Sequence, residues 1–365
     1  MRPLEALLFP IAAVLIISCS DKDQKATKKN SKVENTSLVG DYQVIDSFSV
    51  GKNVFVRSLS SDIRTNTVWV GTSVGALNIN SQTSSVRQTY TRDNGLANEY
   101  VFATYIGSDS STWFGTNGGG VSHLRDAKWE TYFPMHGLAD YWVYSFAEQK
   151  NTALWIGTWA GLSRLDYQTG EFKTYIKELV NEWIYGLDVD SKNRVWIGTE
   201  GGVNMYDGSK WHVWTHQDGL GAPNSRNLSF STNTGLGTRS RHDLSVLVGG
   251  EDSYNPNYIF CVKVTPDDNV WAGTWGGGVS VYDGKQWSNL NSEDGLVGDI
   301  VYSIEIDQKG VMWFGTNKGL SAYDGNNWQT FTIAEGLLDS HVYALAVTSD
   351  NKIWIGSKNG VAVVN

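Results

Sequence analysis

The stretch Trp313-Phe-Gly-Thr316 decides the fold, because the chain contains seven copies of the pattern Trp-x-Gly-Thr, the last with Ser in place of Thr. Successive copies lie 44, 42, 41, 75, 42 and 41 residues apart. A period of about 40 residues around a strand-like core is typical of proteins that stack one small unit or close it into a ring. The copies begin at Trp69, Trp113, Trp155, Trp196, Trp271, Trp313 and Trp354.

The unit around Trp313 predicts four short strands. Apolar stretches at 301–306, 311–316, 320–323 and 328–331 are separated by turns rich in Asp, Asn and Gly. Asp324-Gly325 is a two-residue hairpin signal. Four antiparallel strands in each of seven units predict an all-β fold, a seven-bladed β-propeller, with strands a to d counted from the axis outward.

The two ends of the sequence are predicted to meet in the last blade. The sequence stops at Asn365, just after strand c of the seventh unit. Near the other end, Tyr42-Gln-Val-Ile45 matches the strand d sequence Trp328-Gln-Thr-Phe331. We therefore expect the N-terminal strand to supply the missing strand d and to close the ring.

Residues 1–18 are predicted to be a signal peptide. An apolar run from Leu7 to Ile17 follows Arg2, and this run is too short to span a bilayer. Ile16-Ile17-Ser18-Cys19 resembles the lipobox of bacterial lipoproteins, which implies cleavage before Cys19 and lipidation of its thiol. The alternative is an ordinary signal peptide with an incidental cysteine. Ser20 fits sorting to the outer membrane of a Gram-negative cell, on either its periplasmic or its surface side.

The polar residues that follow predict a flexible tether over 19–37, and the propeller is predicted to occupy 38–365. Contact with the membrane is therefore expected through the lipid anchor only. Cys261 is the second of two cysteines and aligns with small residues in other units. We expect it to be a buried small residue and not a reactive thiol.

Net charge and motifs exclude several classes of function. Twenty-nine Lys and Arg against 38 Asp and Glu give a net charge of -9, which argues against a nucleic-acid partner. The sequence has no phosphate-binding loop and no zinc-protease or serine-hydrolase motif. Asp188-x-Asp190-x-x-Asn193 is interpreted as a turn between strands and not as a calcium loop. No cofactor and no metal site are predicted.

The repeat resembles the two-component regulator propeller repeat. The resemblance lies in a Gly-Leu loop, a strand, a turn, Trp-Ile-Gly-Thr, then Gly-Leu or Gly-Val and Tyr-Asp-Gly, and it covers the chain from residue 38 onward. Such propellers form periplasmic sensor regions of hybrid histidine kinases that are implicated in glycan recognition. The sequence shows no second apolar span, kinase or receiver region, so the resemblance implies recognition by a stand-alone lipoprotein form without signalling in cis.

Four of the sixteen Trp residues do not belong to the repeat, and they predict a binding site. All four fall in the loops from strand d to strand a or from strand b to strand c, which emerge on the same face of a propeller. They belong to the third, fourth and fifth blades. These residues are Trp142, Trp159, Trp183 and Trp275.

Other residues at the same loop positions complete the predicted ligand-binding set. Tyr100, Tyr258 and His341 align with Trp142 and Trp183 just before strand a. Three acidic residues, Asp140, Glu182 and Glu200, lie among the surplus Trp residues. Aromatic plates with hydrogen-bonding groups beside them suit a sugar, whose C–H faces stack on the rings. The alternative is that these Trp residues only plug the channel or pack on a neighbouring blade.

An insert at about 221–257 enters at the same face between the fourth and fifth blades. It is rich in Ser, Asn, Gly and Thr and carries Arg226, Arg239, Arg241 and His242. Loops of this length are usually functional or disordered. Both a lid over the site and an inert excursion agree with the sequence.

Three functions agree with these patterns. The first is a lipid-anchored extracytoplasmic protein that binds an oligosaccharide or other small extracellular ligand. The second is a scaffold whose aromatic face docks a membrane protein partner. The third is a polysaccharide lyase or hydrolase that uses Asp140, Glu182 and Glu200, which depends on carboxylate separations that the sequence does not give. A binding protein is preferred to an enzyme, because no catalytic motif is present.

Overall fold

Residues 39–231 and 253–365 are described by the computed structural model. They belong to one compact unit, Ser37–Asn365. Their strands form seven separate sheets, one for each unit of the repeat. The predicted all-β, seven-bladed β-propeller is therefore confirmed.

The inner two strands of each blade contain most of the fully buried positions. Strand a is β2 (Val56–Asp62), β6 (Val101–Ile106), β10 (Val143–Gln149), β14 (Ile184–Val189), β19 (Ser253–Val264), β23 (Val301–Ile306) and β27 (Val342–Val347) in blades 1 to 7. Strand b, which holds the Trp-x-Gly-Thr motif, is β3 (Thr67–Thr72), β7 (Thr112–Thr116), β11 (Ala153–Thr158), β15 (Val195–Thr199), β20 (Val270–Trp275), β24 (Met312–Thr316) and β28 (Ile353–Ser357).

The outer two strands are shorter in most blades and more exposed. Strand c is β4 (Gly75–Asn80), β8 (Val121–Arg125), β12 (Gly161–Asp166), β16 (Gly202–Tyr206), β21 (Val279–Tyr282), β25 (Leu320–Tyr323) and β29 (Gly360–Val364). Strand d is β5 (Val86–Tyr90), β9 (Lys128–Tyr132), β13 (Phe172–Tyr175), β17 (Trp211–Trp214), β22 (Trp287–Leu290), β26 (Trp328–Phe331) and, in blade 7, β1 (Val44–Ser49). Among the described residues, four single-turn 3-10 helices lie in the d-to-a loops, at Arg92–Asn94, Pro134–His136, His216–Asp218 and Ile333–Glu335.

The N-terminal strand closes the ring, as predicted, but its predicted register is wrong. Strand β1 pairs with β29, and Phe48 lies opposite Val361 as Phe331 lies opposite Leu320. Phe48 and not Ile45 is thus the equivalent of Phe331, and it packs on Trp354 at 5.7 Å between ring centroids. The match of Tyr42 with Trp328 gave the wrong register because Tyr42 precedes strand β1. Its ring lies edge-on to Trp313 of blade 6 at 4.8 Å.

The glycine of the Trp-x-Gly-Thr motif locks each blade to the next. Gly356 pairs with Ala344 of strand a, and a Cβ added there would lie 2.5 Å from Val56 Cγ1 of blade 1. A Cβ at Gly315 would likewise lie 2.7 Å from Val342 Cγ1 of blade 7. Each motif glycine faces the first Val or Ile of strand a in the next blade, so a side chain would force the blades apart.

The other two residues of the motif also stabilise the blade. The Trp rings at 155, 196, 313 and 354 are fully buried between sheets. The Thr hydroxyl donates a hydrogen bond across the b-to-c turn, as from Thr158 to the Gly161 carbonyl at 2.7 Å. Gly161 has φ of 130°, which favours glycine at this turn. The motif is therefore a structural frame.

Blade 5 departs from the four-stranded pattern. Its strand a, β19, begins at Ser253, inside the predicted insert, and a short strand β18 (Ser229–Phe230) pairs with it in parallel. The Tyr254 side chain is buried and its hydroxyl donates to the Ala222 carbonyl at 2.7 Å. The two described flanks of the insert are thus held against the blade. Arg239, Arg241 and His242 lie outside the described residues.

Candidate functional site

Strand a contains a β-bulge at the same place in every blade. Its register against strand b shifts between Val56 and Ser58 in blade 1 and between Val301 and Ser303 in blade 6. A bulge adds one residue to a strand and changes the direction of its side chain. The residues at the seven bulges are Arg57, Phe102, Tyr144, Tyr185, Phe260, Tyr302 and Tyr343.

These seven side chains form a closed ring around the central channel, here called the axial collar. Arg57 completes it, since its guanidinium carbon lies 4.8 Å from the Tyr343 ring centroid and 5.8 Å from that of Phe102. The aromatic members follow one another at centroid separations of 4.8 Å for Phe102–Tyr144, 5.2 Å for Tyr144–Tyr185, 6.3 Å for Tyr185–Phe260, 5.1 Å for Phe260–Tyr302 and 5.3 Å for Tyr302–Tyr343.

The axial collar lines a cavity of about 90 Å³. Liquid water occupies about 30 Å³ per molecule, so the cavity has room for a group of a few non-hydrogen atoms. The channel continues along strand a as a second cavity of about 230 Å³. Its walls include the small residues that follow the bulges, Ser58, Ala103, Ser145, Gly186, Cys261, Ser303 and Ala344.

One side of the mouth, between blades 7 and 1, is basic. Arg57 is nine-tenths buried in the axial collar. The Lys358 ammonium lies 5.6 Å from the centroid of Phe55, which is itself 6.0 Å from the ring of Tyr343. The His341 ring also lies 6.0 Å from Tyr343. Three basic side chains therefore gather around the pair Phe55 and Tyr343.

Asp339 is the carboxylate that accompanies this basic group. Its Oδ1 accepts the backbone N–H of His341 at 2.9 Å and lies 3.4 Å from His341 Nδ1. Burial alone would raise the pKa of Asp339, but the bonds from His341 and the charges of His341 and Lys358 outweigh it and lower the pKa. Asp339 is therefore ionised at neutral pH and engaged with His341.

The d-to-a and b-to-c loops meet at the mouth of the channel, as the sequence analysis assumed. The residue after the motif donates its backbone N–H to the residue before strand a in the same blade. Trp159 bonds the Trp142 carbonyl at 3.0 Å, and Glu200 bonds that of Trp183 at 3.1 Å. This pairing places the predicted site residues of blades 3 and 4 side by side.

The four surplus Trp residues fall into two pairs by exposure. Trp142 and Trp183 are half-buried, whereas Trp159 and Trp275 are buried. Trp159 stacks behind Trp183 at 4.8 Å and 23° between ring planes, which fixes the orientation of the more exposed ring. Trp142 lies 6.3 Å from Phe102 of the axial collar.

The predicted site residues of blade 5 form part of the wall of the channel. Tyr258 is 1% exposed and stacks on Phe260 at 4.5 Å and on Trp275 at 5.3 Å. The Trp275 Nε1–H donates to the Ser253 hydroxyl at 2.8 Å. Tyr258 and Trp275 therefore support the axial collar from behind, and Tyr100 does the same in blade 2, at 4.8 Å from Phe102.

The three predicted acidic residues have different surroundings. Asp140 accepts the backbone N–H of Trp142 at 2.8 Å. The same bond, to the N–H two residues on, is made by Asn98, Asn181 and Asp339 in other blades. Glu182 is exposed beside Trp183, and Glu200 is buried. The position of Asp140 is thus explained by the repeat, and Glu182 has a counterpart in Glu99 of blade 2, whereas Glu200 is specific to blade 4.

The near flank of the insert is held on the following blade by ionic contacts. The Arg226 guanidinium lies 2.9 Å from the carboxylate of Asp299, which is nearly buried. The Ser225 hydroxyl donates to Glu293 at 2.7 Å. Arg226, the described one of the insert's three Arg residues, is therefore engaged with the d-to-a loop that leads into blade 6.

Strand a carries a second group of charged residues, three positions beyond the axial collar in blades 4, 5 and 6. Lys263 Nζ lies 2.7 Å from Glu305, and Asp188 accepts the backbone N–H of Val264 at 2.7 Å. Burial raises the pKa of Asp188. Burial would lower the pKa of Lys263, but the charges of Glu305 and Asp188 raise it. We call Asp188, Lys263 and Glu305 the charged triad.

Two predictions about single residues agree with the structure in part. Cys261 lines the channel and is partly exposed rather than buried, but the pKa of its thiol is raised to about 12 by desolvation, so the thiol is protonated and unreactive at neutral pH. Asp190 accepts the N–H groups of Lys192 and Arg194 and the Trp196 Nε1–H, and Asn193 has φ of 60°. Asp190 and Asn193 therefore build a turn, as predicted, whereas Asp188 lies in strand β14 and not in the turn.

The axial collar was not predicted from the sequence. An aromatic residue recurs second in strand a of six blades, a pattern that core residues packed between blades would also produce. The overlooked signal was Arg57, which stands in blade 1 where every other blade has Phe or Tyr. The bulge that directs these side chains to the axis leaves no pattern in the sequence.

A family model and several solved structures resemble this chain. The model described as two component regulator propeller matches residues 295–318 and 336–359. Blades 6 and 7 therefore carry the two-component regulator propeller repeat. The matched residues run from the d-to-a loop through strands a and b of blades 6 and 7, and they confirm the family resemblance seen in the sequence. A search of curated proteins gives no match.

Solved structures with this fold include two sensor domains from B. thetaiotaomicron. The extracellular domain described as that of hybrid two component system BT3049 superposes with a TM-score of 0.69 at 20% identity, over 88% of this chain and 40% of that one. The extracellular domain of BT4673 gives 0.65 at 18%, over 88% and 39%. The repeat chain thus spans about two-fifths of the length of these domains.

An enzyme has the same fold. A catalytically inactive virginiamycin B lyase from Staphylococcus aureus, solved with quinupristin, superposes with a TM-score of 0.64 at 12% identity, over 89% of this chain and 99% of that one. At such identities the likeness shows the fold alone. Within residues 39–231 and 253–365, no helix has the length and apolar character needed to cross a membrane.

Proposed function

We propose that this repeat protein binds a saccharide outside the cytoplasm, at the mouth of the central channel on the face that carries the axial collar. The observation that carries the proposal is the collar itself. Six aromatic rings and one guanidinium converge there through seven bulges, an arrangement that closing the propeller does not require. Aromatic faces with a few polar groups are the usual lining of sugar sites.

The surplus Trp residues support this proposal by their arrangement. Trp183 is half-buried and held in place by the stacked ring of Trp159, so its orientation does not have to be fixed when a ligand binds. Trp142 is half-buried beside Phe102 in the neighbouring blade. Two preorganised plates at the rim would stack on the C–H faces of a sugar chain, with Glu182 beside Trp183 available for its hydroxyls.

The comparisons agree with a location outside the cytoplasm. Two of the structures with this fold are extracellular domains of hybrid two-component systems. The lipobox-like sequence before Cys19 would tether the chain to a bacterial membrane, and it lies outside the described residues. We propose the outer membrane as that location.

A glycan array probed with detergent-solubilised full-length protein tests the proposal, and calorimetric titration measures the affinity of each hit. The double variant Trp142→Ala/Trp183→Ala should lose at least about tenfold in affinity, because each ring contributes about 1 kcal/mol by stacking. Trp211→Ala is the matched control, since Trp211 lies on the outer strand β17 of blade 4.

Two results would contradict the proposal. Binding that survives the double variant would show that the site lies elsewhere. Failure to bind any glycan, together with capture of a membrane protein by the same face, would favour the scaffold function.

A further inference from the structure

We propose that the saccharide bound at this mouth carries a negative charge, a carboxylate or a sulfate ester, and that the charged group enters the axial collar against Arg57. This inference rests on the proposed function and specifies its ligand. It follows from the size of the cavity, from the setting of Arg57 and from the distribution of charge around the mouth.

The size of the cavity selects a side group and not a whole sugar. A volume of about 90 Å³ is that of roughly three water molecules, which is close to the size of a carboxylate or sulfate group. A pyranose with its hydroxyls is larger, with about a dozen non-hydrogen atoms. We therefore place the sugar ring at the rim, beside Trp142 and Trp183, with a substituent entering the collar.

The setting of Arg57 makes the cavity selective for an anion. Its guanidinium is held between the faces of Phe102 and Tyr343, and only 9% of the residue is exposed. Little water screens a charge in such a position, so an anion gains more there than at the protein surface. A guanidinium also matches the flat, two-oxygen edge of a carboxylate or sulfate.

The charges around the mouth orient such a ligand. Lys358 and His341 lie on the same side as Arg57, against Phe55 and Tyr343, and the one carboxylate described among them, Asp339, is engaged with His341. The acidic residues Glu182 and Glu200 lie in blade 4, across the ring from blade 1. An acidic sugar would therefore place its charged group toward blades 7 and 1 and its uncharged rings toward the Trp residues of blades 3 and 4.

The other blades of the propeller show which residue can replace Arg57 in a test. Arg57→Phe installs the residue that blades 2 and 5 already have at this position, so the propeller should still fold. Arg57→Lys keeps the charge. Arg64→Gln is the control for net charge, because Arg64 is partly exposed and bonds Asp62 at the far end of β2.

The experiment compares full-length wild type and variants on glycan arrays that contain neutral, uronic and sulfated oligosaccharides. Polygalacturonate hexasaccharide is paired with its carboxyl-reduced form and chondroitin sulfate hexasaccharide with its desulfated form. Wild type should bind at least one acidic member and lose about tenfold or more in affinity when its charge is removed, the loss expected for one charge-assisted hydrogen bond. Carboxyl reduction and desulfation tell the two sources of charge apart.

Arg57→Phe should show the same loss for the acidic ligand with an unchanged melting temperature, while Arg57→Lys retains part of the affinity and Arg64→Gln all of it. If the protein binds only neutral glycans, and Arg57→Phe binds them as tightly as wild type, this inference is overturned and the proposed function still stands. Absence of binding to every glycan would overturn both.

Discussion

The two ends of the central channel differ in chemistry although the same strands supply both. In blades 4, 5 and 6, strand a places Tyr185, Phe260 and Tyr302 in the axial collar and, three residues later, Asp188, Lys263 and Glu305 in the charged triad. The triad holds its one cation internally, because Lys263 is bonded to Glu305 and lies near Asp188. The collar instead directs a guanidinium and six aromatic rings toward a cavity.

This difference is why we propose that recognition takes place at the collar. A cation that two carboxylates already hold within the fold offers little to a ligand. In the collar, by contrast, aromatic faces and a guanidinium line a cavity, where a ligand can contact them. We therefore assign stability to the triad and the Trp-x-Gly-Thr frame, and ligand binding to the collar and its rim.

The largest effect is expected from opening the ring of blades, because the collar and the triad both depend on the closed propeller. Deleting residues 39–50 removes β1, leaves β29 with an unpaired edge and exposes the partners of the buried side chains of Val39 and Tyr42. We expect a loss of at least about 5 kcal/mol in the free energy of unfolding, since several large side chains leave the core. Thermal unfolding monitored by circular dichroism measures it. An unchanged melting temperature would contradict the closure.

A motif glycine should affect stability through the contact between blades. Gly356→Ala introduces a Cβ 2.5 Å from Val56 Cγ1, and we expect a cost of about 1–3 kcal/mol. Val56→Ala removes the opposing methyl groups, so the two changes should be less costly together than the sum of the single ones. A double-mutant cycle in urea measures the coupling. Strict additivity would show that the clash is relieved elsewhere.

Removing Lys263 should affect the triad and spare the collar. Lys263→Met leaves Asp188 and Glu305 without their shared cation, and we expect a loss of about 1–2 kcal/mol because the pair is partly exposed. Lys285→Met, in an exposed hairpin of the same blade, is the control. Glycan affinity should remain within about twofold of wild type, and a parallel loss of binding would argue that the two ends act as one site.

The smallest effect concerns pH. His123 is buried and stacks on the motif residue Trp113 at 3.7 Å, and burial lowers its pKa below the ordinary value of 6.5. The unfolded chain therefore binds a proton more readily, so stability contributed by neutral His123 is lost as the pH falls below 6.5. His123→Met, the residue of blade 4 at this position, should flatten the stability profile below that pH. An equally steep profile in the variant would assign the effect to other groups.

The sequence predicted the frame because each frame residue recurs. Trp313, Gly315 and Thr316 appear with small variation in seven units, and burial, contact between blades and turn bonding account for them. The closing strand was predicted for the right reason but in the wrong register, because Tyr42 imitates a strand d residue while packing on Trp313. A local pattern does not reveal which of two nearby aromatic residues enters the sheet.

The candidate site was predictable only in outline. The surplus of Trp142 and Trp183 pointed to the face that carries the axial collar, since loop positions follow from the order of strands. Exposure depends on tertiary packing, so Trp275 and Tyr258 could not be recognised as buried supports. The axial collar was missed because its rings look like core residues, and only the bulges reveal that they point to the axis.

A crystal structure of the protein with the tightest-binding glycan of the array tests the central claim most directly. We predict a sugar ring stacked on Trp142 or Trp183 and an acidic substituent within hydrogen-bond distance of the Arg57 guanidinium. A glycan bound at the charged triad, or on the outer strands of the blades, would contradict the assignment of recognition to the axial collar.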